Sequence, residues 1–341
     1  MKMKKFDLKS MVRPNIWELK PYSSARDEFT GNEGIFLDAN ENPFGERNRY
    51  PDPHQRELKK TLSGRNNIPV ENIFIGNGSD EVIDLVYRVF CEPTQDSVII
   101  CPPTYGMYEV SANINNVNLI RIPLNDEFEL NTERILSESA KCIFICSPNN
   151  PTGNNLKNIG KILDQFNGII VVDEAYIDFS DSEGFMSAIN KYTNLIVMQT
   201  FSKAWALAKA RVGVAYSHKN IIALMDNTKP PYNVSGFNQQ EAINALSEPE
   251  IFKERVDIIL KQRNLLEKEL SKLPFEKHIY PSDANFLLVE MSDASAIYKY
   301  LVSNKVVVRN RDTVVSGCIR ITVGSPEENA QLIDVLRNYK D

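Results

Sequence analysis

The segment that decides the fold reads Leu195-Ile196-Val197-Met198-Gln199-Thr200-Phe201-Ser202-Lys203-Ala204-Trp205. It opens as an apolar run rich in branched side chains, which is typical of a buried β-strand. Small polar residues and then a single lysine follow. Open α/β sheets bind ligands just beyond the carboxyl ends of their strands, and burial there lowers the pKa of a lysine amine. The segment therefore predicts an α/β fold with Lys203 as a candidate nucleophile, the alternative being a solvated loop lysine.

Similar apolar runs lie on both sides of this segment, separated by helical or loop stretches. Continuous apolar runs of this length indicate strands that are buried on both faces of a sheet. We expect helices at about 54–63 and from the loop at 76–81 through Phe90. We expect strands at 73–75, 97–101, 118–122, 142–146, 169–172, 195–200 and 212–215. The pattern predicts a mostly parallel sheet of about seven strands covered by helices.

The chain changes character after Lys229-Pro230-Pro231. Apolar residues spaced among charges predict a long amphipathic helix over 251–272. A smaller α+β domain is indicated by strands expected at 285–289, 306–308 and 318–323 and by a last helix at about 327–338. We therefore divide the chain into residues 1–45 (an N-terminal arm and part of the small domain), 46–240 (the large domain) and 241–341 (the small C-terminal domain).

The bulk composition excludes several classes of protein. The chain has 341 residues and a formal net charge of −6, which argues against general nucleic-acid binding. No apolar run approaches the roughly 20 residues of a membrane span, and the first residues lack the apolar core of a signal peptide. Five cysteines without a C-x-x-C pair indicate reduced thiols in the cytoplasm, and three scattered histidines give no sign of a metal site.

Two loops carry residues suited to ligand binding. Gly76-Asn77-Gly78-Ser79-Asp80 joins an expected strand to an expected helix. Its glycines allow close backbone approach, and a helix N-terminus offers free N–H groups to an anion. The same loop could be a capped turn, since Ser and Asp are good N-caps. Asn149-Asn150-Pro151-Thr152-Gly153 is a turn by composition.

Two charged residues lie beside expected strands. Asp173 follows four apolar residues, and a carboxylate at the end of a buried strand is costly unless it is paired. A helix cap or a surface loop would also explain it. Arg211 precedes the apolar run 212–215 and suits bidentate binding of phosphate or carboxylate, although a structural ion pair is an equal alternative.

Taken together, these features point to one ligand. Pyridoxal 5′-phosphate needs a lysine amine for its aldehyde and a carboxylate for its ring nitrogen. Its phosphate needs backbone donors and an arginine, and its ring can stack on Tyr105. The joint pattern therefore predicts pyridoxal 5′-phosphate as the cofactor.

The sequence also resembles a known family over nearly its whole length. Fold-type I pyridoxal-phosphate-dependent aminotransferases share three of its motifs: Pro148-Asn149-Asn150-Pro151-Thr152-Gly153, Asp173-Glu174-Ala175-Tyr176 and Ser202-Lys203. The resemblance narrows to the histidinol-phosphate aminotransferases on three further segments: Arg13-Pro14-Asn15-Ile16-Trp17, Asp38-Ala39-Asn40-Glu41-Asn42-Pro43 and Arg49-Tyr50-Pro51.

The resemblance implies roles for individual side chains. Lys203 would be the Schiff-base lysine and proton shuttle, Asp173 would pair with the ring nitrogen, and Tyr176 would complete the catalytic set. Cofactor-binding residues would be Ser79, Asp80, Tyr105, Asn150, Asp173, Tyr176, Thr200, Ser202, Lys203 and Arg211, with Tyr50 from the neighbouring subunit. The protein would thus be a homodimer with shared active sites. Substrate-binding residues would be Tyr22, Asn40, Arg309 and Arg320.

The activity that the resemblance implies is transfer of the amino group of L-histidinol phosphate to 2-oxoglutarate. The products are imidazole acetol phosphate and L-glutamate, in a step of histidine biosynthesis. A related aromatic aminotransferase or threonine-phosphate decarboxylase is the alternative, because both use the same core. A non-enzymatic regulator of this fold is disfavoured, because the chain shows no DNA-binding extension and every core catalytic position is filled.

Lys209 departs from the family pattern, which usually has a glycine there. A lysine in place of a glycine with positive φ would be strained by about 1–3 kcal/mol. A second cation could also approach the phosphate or compete with Lys203. The favoured interpretation is an exposed loop lysine.

Overall fold

The computed structural model of the protein describes residues 6–21 and 34–340. Its larger sheet contains β1 (Ile73–Gly76), β2 (Ser97–Ile100), β3 (Asn118–Arg121), β4 (Cys142–Cys146), β5 (Ile169–Asp173), β6 (Leu195–Thr200) and β7 (Gly213–Ser217). The strand order is β1-β7-β6-β5-β4-β2-β3. Strands β2 to β6 pair in parallel, and β7 is antiparallel to both of its neighbours. The predicted α/β fold with a mostly parallel seven-stranded sheet is confirmed.

Both faces of this sheet are covered by helices, which explains why its central strands are apolar at successive positions. Side chains of a strand alternate between faces, so Ile143 and Ile145 enter one hydrophobic cluster and Phe144 enters the other. Short helices α1 (Leu8–Met11) and α2 (Pro14–Trp17) begin the chain. The covering helices are α3 (Arg56–Asn66), α4 (Ser79–Phe90), α5 (Met107–Ile114), α6 (Thr132–Ser137), α7 (Ile159–Gln165), α8 (Lys219–Thr228) and α9 (Gly236–Leu246).

A smaller antiparallel sheet follows in the chain. It contains β8 (Glu276–Tyr280), β9 (Phe286–Met291), β10 (Arg309–Asn310) and β11 (Cys318–Thr322), in the order β10-β11-β9-β8. The helices α10 (Pro249–Leu270), α11 (Ala294–Ser303) and α12 (Pro326–Arg337) contribute apolar side chains to the same core. The predicted smaller α+β unit is therefore present.

Two details of this smaller unit differ from the sequence prediction. The strand expected at 306–308 is wrong, because Lys305 has φ 63° and the Val306 N–H donates to the Leu301 carbonyl, 2.9 Å away. Val306 and Val308 pack on the core from the turn after α11, and pairing begins at Arg309. Strand β8 was not expected, since its residues are mostly polar and only partly buried. Apolar runs alone therefore miss a half-exposed edge strand.

The described N-terminal residues pack on the large sheet rather than standing free. Val12 is buried in one of its two clusters, and the Arg13 N–H donates to the Val89 carbonyl, 3.0 Å away. The proposed domain boundaries themselves stay a prediction. Among the described helices, none is both long and apolar enough to cross a bilayer.

Another hydrophobic cluster joins the two sheets at the place where Lys203 lies. It combines Tyr176 and Phe179 after β5, Ala204 after β6, Val256 of α10, Ala284 just before β9 and Phe286 of β9. The loop that carries Lys203 is therefore held between the large sheet and the small one.

Candidate active site

Lys203 lies three residues beyond the end of β6, in the first residues after the buried strand. Its side chain is partly buried, and its amine nitrogen is 5.5 Å from the centroid of the Tyr176 ring. Burial lowers the pKa of this amine, and the Arg320 guanidinium lowers it further, while the Asp173 carboxylate opposes both. Lys203 is thus a desolvated amine among charged groups, not a solvated loop lysine.

Asp173 ends β5, the strand next to β6. Its side chain is buried, with the residue 3% exposed. The Tyr108 hydroxyl donates to Asp173 Oδ2 at 2.6 Å, and the Ala175 N–H donates to Oδ1 at 3.0 Å. Burial raises the pKa of this carboxyl to about 6, and the two hydrogen bonds oppose that rise. Asp173 is therefore a paired buried carboxylate, which excludes the surface-loop alternative.

Tyr108 is a residue that sequence reasoning missed. It is fully buried in α5 and lies edge-on to Tyr105, with ring centroids 5.6 Å apart. A buried aromatic residue in a helix is ordinarily a core residue, so composition does not distinguish it. Tyr105 lies two residues before α5, so helical spacing does not link the two tyrosines in the sequence.

The glycine loop leads into α4, whose N-cap is Gly78 with φ 78° and no side-chain capping bond. The alternative of a helix capped by Ser or Asp is therefore wrong, and the first-turn N–H groups keep no side-chain partner of this kind. A Cβ on Gly213 would lie 2.3 Å from the Ser79 nitrogen, and one on Gly78 would lie 2.6 Å from Arg211 Nη2. Gly213 requires glycine because the loop backbone approaches it so closely, and Gly78 favours glycine because its φ is 78°.

Arg211 lies across this loop in the left-handed region, at φ 52°. Its guanidinium donates to Asp80 Oδ2 at 3.2 Å and to Ser202 Oγ at 3.3 Å. The Tyr105 hydroxyl donates to the other oxygen of Asp80 at 3.1 Å. Thr200 Oγ1 accepts from the Ser202 N–H at 3.1 Å. These contacts bring the loop residues, the aromatic ring and the cation to one edge of the sheet.

Asn150 links the large sheet to the small one. Its amide nitrogen donates to the Tyr176 hydroxyl at 3.5 Å, and its oxygen accepts from Arg320 of β11. The neighbouring Asn149 is fully buried and holds the loop by donating to Thr152 Oγ1 at 2.7 Å. The turn at 149–153 is thus a structural element that also presents Asn150 to the site.

Four predicted residues stand apart from this cluster. Tyr50 is half-exposed and stacks on Tyr232, with ring centroids 4.4 Å apart. Asn40 is exposed, with φ 54°. Arg309 is exposed but pairs in register with Arg320. Tyr22 lies outside the described residues.

Lys209 is exposed in a short 3-10 helix, Ala208–Ala210. The positive φ angles of this loop fall on Ala206 (57°) and Arg211 (52°), and Lys209 itself is not among the positive-φ residues. The strain considered for a lysine in place of glycine therefore does not arise. Within residues 6–21 and 34–340, no group of His, Cys, Asp and Glu is arranged to hold a metal ion.

Comparisons with known proteins agree with this geometry. The sequence profile of aminotransferase class I and II matches residues 32–336. Histidinol-phosphate aminotransferase of Cytophaga hutchinsonii is 51% identical over 98% of this chain and 99% of its own. The crystal structure of the Clostridium acetobutylicum histidinol-phosphate aminotransferase superposes with a TM-score of 0.78, at 25% identity, over 85% of this chain and 90% of its own. The Sinorhizobium meliloti histidinol-phosphate aminotransferase, solved in complex with pyridoxal-5′-phosphate, shares the fold with a TM-score of 0.77, at 24% identity, over 85% and 83%.

Proposed function

The chain belongs to aminotransferase class I and II, and we propose that it transfers the amino group of L-histidinol phosphate to 2-oxoglutarate. The products are imidazole acetol phosphate and L-glutamate, and the reaction is a step of histidine biosynthesis. The chain is 51% identical to a histidinol-phosphate aminotransferase over 98% of its length, and this similarity supports the substrate pair. The observation that carries the proposal is the meeting of Lys203, Asp173 and Arg320 at one junction of the two sheets.

We propose pyridoxal 5′-phosphate as the cofactor because the residues present fit its groups. The uncapped N-terminus of α4, Arg211 and Ser202 offer donors to a phosphate. Asp80 itself supplies a carboxylate that fixes Arg211 and Tyr105, so its contribution to phosphate binding is through its backbone N–H. Gly213 lets the loop backbone pack directly against β7, and Gly78 lets the Arg211 guanidinium lie against the loop. Ser79 and Thr200 are the remaining residues that we assign to the phosphate side of the cofactor site.

The remaining cofactor contacts suit a planar aromatic ring. Tyr105 would stack on the ring, and Asn150 and Tyr176 would donate hydrogen bonds to its oxygen. Asp173 would hold a proton at the ring nitrogen. When bound, pyridoxal phosphate supplies an aldehyde that combines with amines and a ring that accepts negative charge.

Lys203 would move the proton. Because its pKa is lowered by burial and by Arg320, a larger fraction of its amine is neutral near pH 7 than for an ordinary lysine. A neutral amine can take a proton at Nζ from the substrate carbon that bears the amino group, which makes it an ammonium that holds the proton and can donate it again.

Arg320 would bind the anionic end of both substrates, assisted by Arg309, with Asn40 and Tyr22 also assigned to substrate binding. Guanidinium forks match phosphate and carboxylate oxygens alike, which suits an enzyme that alternates between a phosphate ester and a dicarboxylate. Arg320 is already oriented by its hydrogen bond to Asn150. Arg320 of the proposed substrate site therefore contacts Asn150 of the proposed cofactor site.

A homodimer with shared sites, located in the cytoplasm, is part of the proposal. Apolar side chains in the segment before Tyr50 are strongly exposed, namely Ile35 (90%), Leu37 (87%) and Phe44 (83%). Three strongly exposed apolar side chains within one short segment support burial of that segment against another subunit. All five cysteines are free thiols, which suits a reducing compartment.

The test is a panel of donors given to the purified protein loaded with pyridoxal phosphate. Histidinol phosphate, phenylalanine and threonine phosphate are compared by kcat/KM with 2-oxoglutarate as acceptor, and carbon dioxide release is followed in parallel. We expect histidinol phosphate to be used fastest, with ping-pong kinetics. Faster use of phenylalanine, or carbon dioxide release from threonine phosphate, would overturn the assignment.

A further inference from the structure

Glu81 lies in the first turn of α4, and its side chain folds back on the glycine loop. One oxygen of its carboxylate, Oε2, accepts from the N–H of Asn77, the residue before the N-cap Gly78. In a capping box, a glutamate three positions after the N-cap accepts from the N–H of the N-cap itself. Here the Gly78 N–H donates instead to the Gly76 carbonyl at 2.9 Å. The carboxylate therefore fixes the loop one residue ahead of the helix.

The same oxygen of Glu81 has a second donor from a distant part of the chain. Asn233, between α8 and α9, donates from Nδ2 to Glu81 Oε2 at 2.8 Å and to the Ile75 carbonyl at 3.0 Å. Its Oδ1 accepts at 3.2 Å from Nε2 of Gln55, the fully buried N-cap residue of α3. Ile75 belongs to the strand before the glycine loop and Glu81 to the helix after it. One amide group thus ties the two ends of this loop together.

The two donors to Glu81 are neutral, which leaves a carboxylate charge beside a helix N-terminus. Among residues 6–21 and 34–340, no lysine, arginine or histidine forms an ion pair with it. The guanidinium of Arg211 pairs instead with Asp80 Oδ2, at 3.2 Å. A helix N-terminus attracts any anion, so a carboxylate that moves freely there competes with a phosphate for the first-turn N–H groups. Holding Glu81 toward β1 therefore keeps these groups available to a ligand.

We propose that Asn233 is a positioning residue of the cofactor site: by holding Glu81 and Ile75, it fixes the glycine loop in the shape that binds the cofactor phosphate. This inference rests on the proposed cofactor, pyridoxal phosphate. Lys203 and Asp173 lie at the ends of other strands and have no bond to Asn233. The effect of Asn233 therefore falls on the affinity for the cofactor and not on the rate of the loaded enzyme.

The test measures the dissociation constant of pyridoxal phosphate for the cofactor-free protein by fluorescence titration, and kcat at saturating cofactor. We expect Asn233→Ala to raise the dissociation constant by about tenfold and to change kcat by less than about twofold, since a bond to a charged group is lost. Inorganic phosphate, measured as a competitor of cofactor binding, lacks the ring and reports on the loop alone. Its affinity should fall by the same factor as that of the cofactor.

A charge exchange between Asn233 and Glu81 tests the contact itself. Asn233→Asp places a second carboxylate beside Glu81, so it should weaken cofactor binding more than Asn233→Ala does. Adding Glu81→Gln to Asn233→Asp restores one donor and one acceptor at this contact, so part of the lost affinity should return. This pair of variants also serves if Asn233→Ala does not fold. Absence of any recovery in the double variant would overturn the proposal.

Asn115→Ala is the matched control. Asn115 donates from Nδ2 to Asp84 Oδ1 at 2.8 Å, so it forms an amide–carboxylate bond with the same helix α4, outside the glycine loop. Its removal should leave the affinities for cofactor and for inorganic phosphate unchanged, and melting temperatures should show that each variant is folded.

Three results with these proteins would overturn the role of Asn233. They are unchanged cofactor affinity in Asn233→Ala, equal losses of affinity in Asn233→Ala and Asn115→Ala, and a loss for the cofactor without a loss for inorganic phosphate. Failure of the wild type to bind pyridoxal phosphate would instead overturn the proposed function, so the two failures are distinguishable.

Discussion

The two halves of the candidate site are built differently. On the large sheet, two of the charged groups that we assign to the cofactor already have partners: Asp173 is bonded to Tyr108 and Ala175, and Arg211 to Asp80 and Ser202. On the small sheet, Arg311 and Arg320 keep buried Nε atoms without partners. A paired site suits a ligand that stays, because its geometry is fixed in advance. An unpaired cationic site suits anions that come and go and differ in shape.

The largest expected effect falls on the paired half. Lys203→Ala removes the amine that would move the proton, so turnover of histidinol phosphate should fall by about 10⁴-fold. Steady-state kinetics measure this loss. Borohydride treatment of the wild type should fix the cofactor covalently to Lys203, and mass spectrometry should then find the added mass on that residue.

The matched control is Lys209→Ala, which removes an exposed lysine of the same loop. It should retain normal turnover and normal labelling at Lys203. A Lys203→Ala protein that transaminates at the wild-type rate would contradict the mechanism.

Asp173→Asn separates chemistry from stability. The amide keeps one acceptor oxygen for the Ala175 N–H and presents an NH2 donor to the Tyr108 hydroxyl, but it loses the charge, so turnover should fall by about 10²- to 10³-fold. Burial raises the pKa of Asp173 from 3.8 to about 6, so above pH 6 the folded protein carries a buried ionised carboxylate that lowers its stability. Removing that charge should therefore raise the unfolding free energy of the cofactor-free protein at pH 8, by about 1–3 kcal/mol.

Denaturant unfolding at pH 8 and at pH 4 checks the sign of this effect. At pH 4 Asp173 is protonated in the folded protein, so the stability difference between the two proteins should shrink. Equal turnover of Asp173→Asn and wild type would count against the charge-accepting role of the ring.

The sequence predicts the residues of the paired half, on the large sheet, better than those of the unpaired half, on the small sheet. Lys203 and Asp173 each follow an apolar strand, so a polar residue there stands out without any tertiary information. Tyr108 does not stand out, because a buried helical tyrosine resembles a core residue until its hydroxyl is seen to reach Asp173. Arg311 becomes informative only when the register of β10 and β11 is known. The short apolar run at 306–308 predicted the strand too early in the chain.

The cofactor half of the site is complete within one chain only if Tyr50 does not contribute to the site of a neighbouring subunit. If Tyr50 reaches the cofactor of the neighbouring subunit, Tyr50→Ala and Lys203→Ala homodimers are both impaired. Mixing them after reversible dissociation forms heterodimers in which one site carries both lesions and the other carries none. About a quarter of wild-type activity should then return, because half of the dimers would be mixed and each would have one intact site.

Assay of the mixed sample against the two parents measures this recovery. A mixture no more active than the average of its parents, although heterodimers are shown by differential tagging, would place Tyr50 outside the neighbour's site.

The smallest expected effect concerns the pairing of Asp173 itself. The hydrogen bond from Tyr108 stabilises the ionised carboxylate and so lowers its pKa. Tyr108→Phe removes that bond, so the pKa should rise further above about 6. If pyridoxal phosphate binding requires the carboxylate, affinity is lost as the pH falls through this pKa, and in the variant the loss begins at a higher pH. Fluorescence titration of the cofactor-free protein between pH 5 and 8 measures the shift.

Tyr87→Phe provides the control for this last variant. The Tyr87 hydroxyl is also buried and donates to the Tyr108 carbonyl at 2.7 Å, so its removal costs a similar hydrogen bond, about 1 kcal/mol, without touching Asp173. Its pH dependence of cofactor binding should match the wild type. If both variants shift the pH dependence equally, the effect is one of general packing. If only Tyr108→Phe shifts it, the charge of Asp173 is set by a specific partner, as the paired half of the site requires.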